Sequence, residues 1–167
     1  MTWALLDTLA RWLHLLGILT WMGHNYANVI QHPRYQPVAA HDEASFAAMI
    51  SGALKREHGT FRYASLITLA SGLFMLWHRG LLADVLSLSG DAAVIGIGVW
   101  IGIIMVLNLW FVLWPHQKKV LGFVPVTQEE RVRCSRITFL SSRTNTILSF
   151  PALFFMLAGA HGMPLSL

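Results

Sequence analysis

RWLHLLGILTWMGHNYANVIQHPR, residues 11–34, decides the fold, because between its two arginines run 22 residues, Trp12 to Pro33, without a charged side chain. A helix that crosses a bilayer needs about 20 mostly apolar residues, since the hydrocarbon layer is about 30 Å thick and each residue rises about 1.5 Å. The same test applied outward from this stretch finds three more runs. Ala92 to Gln117 holds 26 uncharged residues, the 24 residues after Arg143 carry no side-chain charge, and Tyr63 to His78 holds 16 between Arg62 and Arg79. The last run is short, but arginines at its ends can extend to the interface. These runs predict an all-α, integral membrane four-helix bundle forming a single domain over 1–167, with spans at about 5–30, 62–77, 93–114 and 137–160.

Composition agrees. Of 167 residues 55% are hydrophobic and 12% charged, and the mean hydropathy is +0.55. An ordinary water-soluble domain carries about twice that share of charge. The net charge of +4 and pI near 9.7 do not point to nucleic acid, because the basic residues follow a membrane topology. With four spans both termini lie on one side. Of twelve Lys and Arg residues only Arg11 and Arg79 fall there; the other ten lie in the loops 34–62 and 118–143. The terminal side carries −1 and the loop side +5, so the positive-inside rule makes loops 1–2 and 3–4 cytoplasmic and both termini periplasmic. The expected location is the bacterial inner membrane, multi-pass, with N and C termini outside. The first span is too long for a cleavable signal peptide, and Asp7 sits where a positive flank belongs.

Local signals refine the outline. Residues 41–57 place Phe46, Ala47, Ile50, Ala53 and Leu54 at helical spacing, as an interfacial helix or an extension of the second span. Pro115 is expected to end the third helix, Thr127 and Glu130 to form a capping box at the fourth, and Pro151 to bend it.

Eight histidines are many for such a chain, and ionisable groups inside a bilayer mark functional sites by default. His14, inside WLHLLGIL, His78 and His161 all lie near the outer face by residue count. A haem b held between helices needs two imidazoles at matching depth on neighbouring helices, and the first and fourth helices of a closed bundle are neighbours. His14 with His161 meets that condition, and His14 with His78 meets it as the alternative. The bland account makes His78 and His161 interfacial residues. Gly17 and Trp21 follow His14 on one helical face, Gly17 giving clearance for a macrocycle, while Arg11 is placed to meet a propionate. Gly98 and Gly102 form a GxxxG pair that serves helix packing or clearance. The single cysteine, Cys134, excludes covalent haem attachment through CxxCH, so any haem is non-covalent. A quinone pocket uses the same residue types.

Four segments carry a resemblance to a known family: RWLHLLGILTWMG with Tyr26 and Gln31, FRYASLITLASG, GIIMVLNLWFVLWPHQKKVLG, and SSRTNTILSFPALFFML. The chain resembles the membrane domain of the bacterial membrane-bound urate oxidases of the PuuD type, as a short four-helix relative without the family's cytochrome c domain. The resemblance implies an integral membrane protein with His14 as haem ligand, and marks Trp21, Asn108, Trp114, Pro115, Gln117, Lys118, Arg143, Asn145 and Pro151 as family-like positions. RWLH is also similar to the opening of membrane haem-b protoporphyrinogen oxidases. The expected function is electron transfer through haem b to or from a periplasmic cytochrome c, in a homo- or hetero-oligomer. The alternatives are a haem-free accessory subunit of a respiratory-type membrane complex and a urate or purine oxidoreductase component.

Overall fold

The computed structural model describes residues 2–37 and 52–163, with side chains described outside 52–59. The described residues form helices joined by short turns. They are α1 (Trp3–Gln31), α2 (Gly52–His78), the short α3 (Leu82–Ser87), α4 (Ala93–Leu107), α5 (Trp114–Val120) and α6 (Gln128–Ala160). A 3-10 turn, Gly90–Ala92, leads into α4, and a π-helical stretch, Asn108–Leu113, joins α4 to α5, so Gly90–Val120 is one rod.

Every expected span is helical, and all four extend beyond their expected limits, the first by only one or two residues. α2 is helical from Gly52, so residues 52–57 are a helical extension; 41–51 lie outside the described residues. Pro115 does not end the third helix, which runs on to Val120. Proline lacks an N–H and its ring crowds the carbonyl four residues back. The wider turns of Asn108–Leu113 provide room directly before it, and Pro115 follows at once in the first turn of α5. At α6 the cap is one-sided: Glu130 N–H donates to Thr127 Oγ1 at 3.2 Å, but the Glu130 carboxylate turns to Lys119 Nζ at 2.6 Å. The hydrogen bond from Lys119, with its charge, holds Glu130 below the usual carboxylate range and raises the lysine. α2 and α5 both end in glycine turns with positive φ, Gly80 (71°) and Gly122 (73°), each closed by Leu81 N–H to Leu76 O and Phe123 N–H to Lys118 O respectively.

Contacts run antiparallel throughout. Asp7 meets Arg79 at one end of the α1–α2 pair, and His24 stacks on Phe61 toward the other. Gly98 lies against Ala152 and Met156, and Gly159 against Ile95, where a Cβ on either glycine would come within 3 Å of α6 or α4 atoms. Gly98 of the GxxxG pair therefore serves close packing. The bundle consists of two tight pairs, α1 with α2 and α4 with α6, rather than an even ring. α1 reaches α6 through Tyr26, whose hydroxyl donates to Ser149 Oγ at 2.7 Å.

α4 and α6 are clasped by amides. Asn108 Nδ2 donates to Ser141 O (3.0 Å) and Asn145 Oδ1 (2.8 Å), Ser141 Oγ donates to Asn108 Oδ1 (2.9 Å), and Asn145 Nδ2 donates to Met105 O (3.1 Å). Asn145 is 1% exposed. The interior holds further polar side chains, Ser65, Thr68, Thr138 and Ser149 among them, while Leu19, Phe111, Ile147 and Phe150 point outward, Phe111 at 74% exposure. Among the described residues one helix, the rod Gly90–Val120 with a window mean of 2.4, is long and apolar enough to cross a membrane. The inward face of α6, with Ser135, Thr138, Ser141, Asn145, Thr146 and Ser149 buried, is polar and lowers the average of that helix.

Asn145→Ala removes both amide bonds of that residue and leaves the Met105 carbonyl and Asn108 amide short of partners. A loss of about 1–3 kcal/mol is expected, read as a Tm lower by roughly 2–4 °C per kcal/mol in circular dichroism melts of detergent-solubilised protein. An unchanged Tm would show that the clasp contributes nothing.

Candidate functional site

At the end of the bundle that carries Trp3 and Ala160, α1, α2, α4 and α6 enclose a cavity of about 390 Å³. Its walls are mainly apolar, with Ile18, Leu69, Val99, Val106 and Leu153 among them, and Arg11, Arg79 and His14 are its charged or titratable lining. A cavity of this size and character lies within the usual range for small-molecule and cofactor sites.

His14 is fixed by α2. Its Nδ1 lies 2.7 Å from the Thr68 carbonyl oxygen, which can only accept, so the hydrogen sits on Nδ1 and Nε2 keeps its lone pair. Nε2 makes no hydrogen bond among the described residues. Metal-ligating histidines are held in this way, the far nitrogen donating to a carbonyl and the near one left to bind. The ring rests on Gly72, where an added Cβ would lie 2.9 Å from Cε1. The small residue at position 72 is therefore what admits the imidazole between α1 and α2.

The two arginines share one carboxylate. Arg79 Nη2 contacts both Asp7 oxygens at 2.9 Å, and Arg11 Nε contacts Oδ2 at 2.8 Å. Two guanidiniums against one carboxylate leave a net positive charge at the cavity, and most of their ten N–H groups remain for a further acceptor.

Of the residues singled out from sequence, the structure gathers His14, Arg11 and Trp21 at this cavity, together with Gly102, next to which no atom stands within 4 Å of an added Cβ. It does not gather the others there. Gly17 packs against Ala64 and Thr68, so it serves the α1–α2 contact and not clearance. His78 is stacked between Trp3 (4.8 Å) and Phe74 (6.2 Å). His161 caps α6 from outside, exposed, its Nδ1–H donating to Leu157 O at 2.9 Å. Matching height did not bring it to His14, because α6 pairs with α4 and His14 faces α2. Sequence reasoning missed Thr68 as the orienting acceptor and Arg79 with Asp7 as an anchor; the run of small residues in LITLASG was the available signal for the first. No group of three or more metal-ligating side chains occurs among the described residues.

A second cavity of about 600 Å³ lies at the opposite end, lined by amides, hydroxyls and aromatic rings. Asn25 and Asn28 of α1 belong to it.

Gly72→Ala is expected to displace the His14 ring and cost about 1–3 kcal/mol by overpacking. Gly102→Ala, facing open space, is expected to stay within about 0.5 kcal/mol of the parent. Thermal melts of the two variants side by side check this, and equal Tm values would remove the special role of position 72.

No curated protein and no solved structure matches the chain. A protein-family model described as "Urate oxidase N-terminal" matches residues 54–166. The match takes in Thr68, Gly72, Arg79, Asn108, Asn145 and His161, and begins beyond α1, so His14 lies outside it. Because it covers well over half of the sequence, the chain belongs to the urate oxidase N-terminal family.

Proposed function

We propose that the chain is a membrane-embedded, haem-b-binding electron-transfer protein of the membrane-bound, PuuD-type branch of this family. The observation that carries this reading is His14: an oriented imidazole with Nε2 uncommitted, on the wall of an apolar cavity with two arginines. Family membership supports a urate-related oxidoreductase component. The inverted distribution of polarity, with Asn145 and Ser149 inside and Phe111, Ile147 and Phe150 outside, supports residence in a bilayer.

The residues at the cavity fit the group. His14 Nε2 would hold the iron, with Thr68 O fixing its tautomer and raising its basicity. Arg11 and Arg79 would receive the propionates through N–H groups not turned to Asp7. Leu69, Val99, Val106 and Leu153 exclude water and Gly102 leaves room. His161, with His78 as the alternative, would be the second histidine to hold the iron; neither lines the cavity in this structure, although Leu157 and Ala160 beside His161 do. When bound, haem b supplies one-electron transfer at iron, tuned by ligation and burial. The proposed setting is the bacterial inner membrane with both termini periplasmic, which puts this cavity on the side of a periplasmic cytochrome c.

The family match also favours a second reading, a urate or purine oxidoreductase component. It predicts that urate reduces the haem, or added cytochrome c, in the presence of the protein.

Oxidised and dithionite-reduced spectra of detergent-purified protein, with a pyridine haemochrome assay, are expected to show one haem b per chain. His14→Ala is expected to lose it while keeping its helicity. Full haem in His14→Ala would refute the ligand assignment. A folded, colourless wild type would refute haem binding and favour a haem-free subunit whose exposed Leu19, Phe111 and Phe154 are covered by partner helices.

A further inference from the structure

The second cavity, at the loop end of the bundle, is unlike the first, and nothing in the haem proposal uses it. Its lining includes the side chains of Asn25, Asn28, Gln31, Arg34, Arg62 and Ser142, and among the described residues that line it none is acidic. Asn25 is 6% exposed, and its Nδ2 has no hydrogen-bond acceptor. Arg62 Nε is likewise shielded from solvent without an acceptor. A buried donor left unpaired costs about 1–3 kcal/mol, more when charged. Two donors for which the fold supplies no acceptor thus belong to residues that line one cavity.

The donors come from several directions, α1, α2 and α6, and two of the lining side chains are cationic. Arg62 is held in place by its guanidinium lying 3.9 Å over the Trp114 ring, with Nη2 donating to Tyr63 Oη at 2.8 Å. A stacked guanidinium keeps its in-plane N–H groups directed sideways, the geometry that recognises oxyanions. A group with three or more acceptor oxygens meets such a convergent donor set better than a two-oxygen carboxylate does.

We propose that this cavity binds a phosphate-bearing anion, Asn25 and Arg62 donating to its oxygens. The same chemistry is offered by a free phosphate compound and by the headgroup of an anionic phospholipid.

Inorganic phosphate is titrated at constant ionic strength, with chloride as the exchanged anion, into the full chain in an uncharged detergent. The expected result is a saturable change in tryptophan emission that Trp114→Phe removes. Asn25→Leu and Arg62→Gln are each expected to weaken binding about ten-fold or more. If phosphate is silent, but nanodiscs of phosphatidylglycerol and not of phosphatidylcholine give the response with the same sensitivity to the variants, the anion is a lipid headgroup and the site stands. Circular dichroism checks folding; should Asn25→Leu lose helicity, Arg62→Gln carries the comparison. Absence of a response from both probes, or a response in folded Arg62→Gln equal to that of wild type, would overturn the proposal.

Discussion

Most of the architecture depends on one constraint: two amides between the rod and α6, the half-buried Asn108 and the fully buried Asn145, must satisfy each other. Each has donors and an acceptor, and in a dry interior both kinds need partners. Their mutual bonds, completed by Ser141 and the Met105 carbonyl, fix the register of the pair at a single value. A slide by one turn would break all four bonds and would drive Gly98 and Gly159 off their facing backbones. With the register set, α6 presents Leu153 and Met156 to one cavity and Thr138 and Ser142 to the other.

α1 belongs to both cavities. His14 lines the apolar one, Trp21 closes it from below in the core with Met22 and Met105, and Asn25 opens the polar one a turn further along. A single helix thus changes chemistry along its length without changing face, since positions 14, 18, 21, 25 and 28 recur at three- and four-residue steps. The small residues of α2 let it approach: Gly17 on Ala64 and Thr68, then His14 on Gly72.

The helices were legible in the sequence because charges are costly in apolar runs, and the gaps between them gave the number of long helices. Their ends were less legible. The polar starts at Gly52 and Gln128 lie outside any apolar run, and the passage through Pro115 depends on a widened turn that no periodicity announces. That His14, Arg11 and Trp21 line one cavity was legible since they share one stripe of one helix. The proposed pairing with His161 was read from height alone, and height along an axis carries no information about azimuth or about which helices pair. The polar cavity was missed for a similar reason. Asn25, Asn28 and Gln31 stand at helical spacing, yet their meaning depends on Arg62 and Ser142, which come from two other helices.

The π-helical stretch between α4 and α5 has a structural meaning beyond accommodating a proline. The residues of the rod that line the cavities keep three- and four-residue steps straight through it: Val99, Gly102 and Val106 face the apolar cavity, and Leu109, Leu113 and Gln117 the polar one. One continuous wall therefore serves two chambers of different chemistry.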